Sequence, residues 1–110
     1  MAKISLCIED IELGYLMERN GKYVFYANGD EVLRAKKEYP LDMVLFKLND
    51  KGMKSFDNIP YPFSTFVSGT YREDIMRKAN IETTDSDFVR LYKVANLKIM
   101  RQNFDIHVAD

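Results

Sequence analysis

This chain has little of what catalytic and metal-binding sites are usually built from. It holds one cysteine, one histidine and no tryptophan in 110 residues. Cys7 has no partner for an internal disulfide. In the alternating stretch "KISLCIED" it reads as a small buried hydrophobe rather than a reactive thiol. An unpaired thiol without a disulfide framework fits a reducing compartment. His107, in "FDIHV", has no partner His or Cys to complete a metal set, so it reads as structural or solvent-facing. Nucleophilic catalysis of the Ser/His/Asp or Cys/His kind would hang on that residue alone. No catalytic residue, cofactor or metal is therefore expected, although a pocket gathering scattered carboxylates and tyrosines would escape any reading of spacing.

Other absences narrow the function further. The five glycines are scattered singly, and no Gly-rich loop precedes a helix with Lys and Ser/Thr, so a phosphate cradle is missing. No uncharged run approaches the roughly 18 residues that span a bilayer. Charges at Lys3, Glu9, Asp10 and Glu12 break up the N-terminus where a signal peptide would be apolar, so a cytoplasmic protein without membrane contact is expected. Lys plus Arg number 16 against 17 Asp plus Glu, which lacks the positive excess by which proteins gain affinity for phosphate backbones. That balance also leaves self-repulsion weak and a homodimer open.

What is present is a patterned, aromatic-rich chain of single-domain length, residues 1–110. Ile4, Leu6 and Ile8 alternate, as do Ile11, Leu13, Tyr15 and Met17, and Asn20-Gly21 is a strong hairpin signal before a third strand, "KYVFYA". An antiparallel meander follows from this. "DEVLRAKKEY" predicts a short helix capped by Asp30, with Val32, Leu33 and Ala35 turned inward and Pro40 as its stop. "DMVLFKL" predicts a strand and "MKSF" a brief extended piece. Thr70 and Glu73 match a capping box, predicting a helix over "TYREDIMRKAN" with Tyr71, Ile75, Met76 and Ala79 on its apolar face. "DSDFVRLYKVAN" predicts another helix, capped by Thr84 or Asp85, with Phe88, Leu91, Tyr92 and Ala95 on one stripe. The carboxylates of "TTDSD" suit a helix start better than an acid/base pair. The tail alternates and predicts one or two more strands. The fold class is α+β, mostly antiparallel, with two to three short helices.

Seven Tyr and seven Phe are many for the thin core of so small a domain. Pro60 and Pro62 keep "IPYPF" from being a central strand, so Tyr39, Tyr61, Phe63 and Phe66, together with Ile59, crowd into a loop or edge. Aromatics on stiff loops are good interface anchors, because they bury much area at small entropic cost. Core packing is the competing reading of the same rings. We therefore single out Ile59, Tyr61, Phe63, Phe66 and Arg72 as candidate protein-binding residues. The alternative is a nucleic-acid-associated accessory domain using Arg72, Arg77 and Lys78 on a basic helix face. Tyr23 and Phe25 could stack on bases, but ordinary sheet packing explains them better.

The order of motifs resembles the N-terminal subdomain of HipA-type bacterial Ser/Thr kinase toxins. The resemblance covers residues 11–81 and rests on Gly14 and Leu16, Phe25 beside Tyr26, Pro40 and Leu41, then Phe63, Phe66 and Arg72. The kinase's own nucleotide loop, catalytic Asp loop and metal-binding Asp motif have no counterpart here. The resemblance implies a barrel-like β-sheet with flanking helices and no catalysis. As partner it implies a HipA-like kinase or its DNA-binding antitoxin. The stand-alone role it implies is that of an antitoxin or regulatory subunit in a toxin–antitoxin system.

Overall fold

Alternating burial along the first strands sets the architecture. The computed structural model describes residues 2–47, 52–97, 100–101 and 103–109. Strands β1 (Ile4–Ile8), β2 (Ile11–Arg19) and β3 (Lys22–Ala27) form the expected meander. Asn20 and Gly21 take φ of 52° and 77°, the positive values a tight hairpin turn needs. A bulge interrupts the β1–β2 register beside Gly14, whose φ is 151°. A Cβ there would lie 2.3 Å from the Tyr26 carbonyl oxygen, so only glycine lets β2 and β3 approach this closely. "MKSF" is β4 (Met53–Phe56), paired with β3. The tail supplies β5 (Met100–Arg101) and β6 (Phe104–Val108), and β6 pairs antiparallel with β1.

The result is a six-stranded antiparallel sheet in the order β4-β3-β2-β1-β6-β5. It stays open: β4 and β5 are its edges, so the barrel-like closure implied by the family resemblance is not found. The α+β class holds. Among the described residues no helix is long and apolar enough to cross a membrane.

The helices lie on one side of this sheet. Helix α1 (Gly29–Lys36) is capped by Asn28, whose side chain accepts from the Glu31 N–H at 3.4 Å, so the cap stands two residues before the expected Asp30. Val32 and Ala35 are buried, whereas Leu33 is exposed. The expected strand in 42–48 is instead a 3-10 turn at Val44–Phe46, with Leu48 outside the described residues. Leu45 and Phe46 are both buried, and a strand would point such neighbours to opposite sides.

A helix not expected from the prolines, α2 (Phe63–Gly69), occupies the aromatic run. Pro62 stands at its N-cap, where a missing N–H costs nothing. Phe63, Phe66 and Val67 then fall at the i, i+3, i+4 spacing of one buried face. Thr70 ends this helix and does not begin the next. Its hydroxyl donates to the Val67 carbonyl at 2.6 Å, and the capping box with Glu73 does not form. Helix α3 is accordingly short, Glu73–Lys78, with Arg72 at its N-cap and no side-chain cap bond. In α4 (Asp87–Ala95) the cap is Ser86, accepting from the Val89 N–H at 3.3 Å. Asp85 instead accepts from the Glu82 N–H at 2.8 Å and from Lys93 Nζ at 2.6 Å.

The buried apolar residues of α1, α2 and α4 join Ile4, Leu6, Leu16, Phe25 and Ile106 in one cluster. Phe25 is its centre, meeting Phe46 and Phe63 edge-on with centroids 6.3 and 6.0 Å apart. The intervening strand residues, among them Ser5, Cys7, Tyr15, Tyr26, Asp105 and His107, alternate to the opposite face and stay outside that cluster.

Candidate docking groove

Between α2, the first turn of α4 and the β3–β4 end of the sheet runs a groove of about 480 Å³. Ile59 and Val67 line it with apolar surface, Ser64 and Ser68 contribute the outer face of α2, and Tyr23, Tyr71 and Asp87 complete the wall. Tyr71 lies between α2 and α3 and is 59% exposed. Its hydroxyl hydrogen-bonds Asp87 Oδ1 at 2.9 Å, and the Arg90 guanidinium sits over its ring, 4.2 Å from the centroid.

Arg90, stacked on this ring, is itself firmly anchored. It is 3% exposed and donates to four backbone carbonyls, those of Asp85, Thr70, Glu82 and Thr83, at 3.1 to 3.3 Å. One buried cation thus ties the end of α2 to the loop before α4, satisfying carbonyls that no helix or strand uses. Such a role gives no periodic sequence signal, so nothing in the sequence points to Arg90. Tyr23, stacked on Phe88 with centroids 6.2 Å apart, forms the opposite wall.

The two phenols of the groove are poorly set for proton transfer. The Tyr71 phenol is pushed above its ordinary range, chiefly by its hydrogen bond to Asp87, and the Tyr23 phenol is raised chiefly by burial. Neither moves toward neutrality, where a general base or acid works best.

The expected binding residues divide. Ile59 lines the groove, Tyr61 is 42% exposed, and Arg72 is exposed with its guanidinium 3.0 Å from Asp74. Phe63 and Phe66 are enclosed by their own chain, at 0% and 3% exposure, so they are core and not anchors. The difference is helical phase: α2 turns every third or fourth residue inward. The basic face proposed for nucleic acid is interleaved with acids, since Arg72 pairs with Asp74 and Arg77 lies 3.8 Å from Glu73. Phe25 is in the core and offers no ring for base stacking.

Two further expectations are met only in part on the other side of the sheet. Cys7 is half-buried on the face away from the core, not inside it. His107, expected to lack metal-binding partners, lies with Cys7 and Asp105, because β6 pairs with β1. The phase of the two alternating terminal segments carried that signal, but only the pairing register turns phase into proximity.

No protein-family model matches the chain, and a search of curated proteins finds no relative.

Proposed function

We propose that this chain is a non-catalytic protein-interaction domain that docks a partner over the groove between α2 and α4, with Ile59 and Tyr71 from its lining and the exposed Tyr61, just before α2, as its apolar contacts. The observation carrying the reading is Tyr71: a large ring mostly exposed to water, yet held by contacts to Arg90 and Asp87 beside Ile59 and Val67. A ring already fixed loses little entropy when covered, and burying the remainder of such a side chain contributes about 1–2 kcal/mol. A standard interface needs roughly 800 Å² from each partner. That is close to an eighth of this chain's 6543 Å².

The motif resemblance supplies the partner in this reading: a HipA-like kinase, which the domain restrains as an antitoxin or regulatory subunit. Mixing the chain with a kinase encoded beside it and measuring comigration and kinase activity tests this. A shared peak with lowered activity is expected, and separate peaks with unchanged activity overturn it. Tyr61→Ser should weaken the complex at least tenfold while leaving the monomer's melting temperature nearly unchanged.

A further inference from the structure

The bare face of the sheet brings together three side chains that the sequence keeps far apart. Cys7 stands directly opposite Asp105, and His107 follows two residues along β6, opposite Ser5. Strand alternation puts all three on the same side. One donor atom from each, the Cys7 sulfur, an Asp105 oxygen and a His107 nitrogen, lies within 4.8 Å of the others. Donors around a tetrahedral ion with bonds of about 2.0–2.3 Å sit about 3.3–3.7 Å apart. Side-chain adjustments on the order of an ångström therefore bring the set into bonding range.

A second observation concerns the carboxylate itself. Asp105 Oδ2 lies 2.6 Å from His107 Nε2, whereas Oδ1 is buried and has no hydrogen-bond partner among the described residues. A buried carboxylate oxygen without a donor is costly, and a cation is one group that offsets it. Glu12, paired with Cys7 from the β2 side, adds negative charge next to the thiol. Its own carboxylate is held by the Ser5 hydroxyl at 3.0 Å.

We propose that Cys7, Asp105 and His107 form a binding site for one divalent transition-metal ion of the zinc class, with the fourth coordination position open on the uncovered face. A sulfur–nitrogen–oxygen set favours a borderline-soft ion and disfavours magnesium and calcium, which take oxygen shells. On binding, the thiol proton leaves to solvent and the sulfur coordinates as thiolate. The ion would clip the first strand of the sheet to the last, on the side away from the docking groove, so the site stands independently of the proposed partner.

Cobalt(II) titration of the reduced, chelator-stripped 110-residue chain tests the site. One equivalent should produce a thiolate-to-cobalt charge-transfer band and the intense visible bands of four-coordination, and zinc should displace both. Cys7 is the single cysteine of the chain, so that band identifies its ligand without any variant. Asp105→Asn and His107→Gln should each lower the affinity at least tenfold, and zinc should raise the melting temperature of the unaltered chain. Absence of the charge-transfer band at stoichiometric cobalt overturns the proposal. So does binding that appears only at large excess, or binding that both variants leave unchanged.

Discussion

The two faces of one sheet differ in what the same strands carry. From β1, Ile4, Leu6 and Ile8 enter the helix-covered core, while Ser5 and Cys7 face the other way; β6 divides likewise into Phe104 and Ile106 against Asp105 and His107. The covered face consists of aliphatic and phenyl groups whose burial drives folding. The bare face holds a thiol, an imidazole, carboxylates and a stacked Tyr15–Tyr26 pair with centroids 5.1 Å apart. Substitution tolerance should therefore change with every step along a strand, and stability and chemistry should come apart in experiments.

The largest effect is expected from Phe63→Ala. It removes a fully buried ring touching Phe25 and should cost about 3–5 kcal/mol, read as a large fall in the denaturant midpoint. A midpoint near that of the unaltered chain would mean that α2 is not part of the core. Arg90→Ala comes next, at about 3 kcal/mol, because four backbone carbonyls lose a charged donor. Thermal melts would measure it, and Arg90→Lys should recover only part, since an ammonium cannot span the same fork of acceptors. Gly14→Ala forces a Cβ against the Tyr26 carbonyl and should cost about 2 kcal/mol with altered β2–β3 amide exchange.

On the bare face the expected effects are smaller. Cys7→Ser in the metal-free chain should shift stability by less than about 0.5 kcal/mol, in contrast to any core substitution on the same strand. Burial, with Asp105 and Glu12 nearby, pushes the Cys7 thiol up to about 11. Alkylation of the metal-free chain should therefore be slow at pH 8 and accelerate toward pH 11, and fast reaction at pH 8 would contradict this environment.

The last contrast is between Asp85 and the core. The hydrogen bond from Lys93, and then the backbone N–H of Glu82, hold the Asp85 carboxyl below its usual range. A carboxyl whose folded value is lowered adds stability that is complete above about pH 4, its unfolded value, and lost as pH falls through the lower folded value. Asp85→Asn should remove that part of the acid dependence, so acid melts of the two proteins should converge at the lowest pH.

Much of the framework was readable from residue pattern. Alternation located β1, β2 and β3, Asn20-Gly21 located their hairpin, and the apolar stripe of α4 holds in Phe88, Leu91 and Ala95, with Tyr92 half-buried against the same core. Failures came where one residue had two uses. Thr70 can begin a helix or end one, and the buried end of α2 selects the second. The prolines before Phe63 suggest a loop, although Pro62 also suits the threshold of a helix. Of the candidate interface, Tyr61 and Arg72 are exposed and Ile59 is half-buried against the core, whereas Phe63 and Phe66 separate from surface only through the helical phase of α2.

Residue order alone settled the period-two and helical repeats, the tight turn, and the near balance of charge, because these depend on neighbours a few positions apart. Folding in three dimensions decided which rings are enclosed, that Arg90 serves four carbonyls, and that Cys7 meets His107 from the opposite end of the chain. Those outcomes depend on strand register and on what covers each face, which are contacts between distant segments that no local pattern encodes.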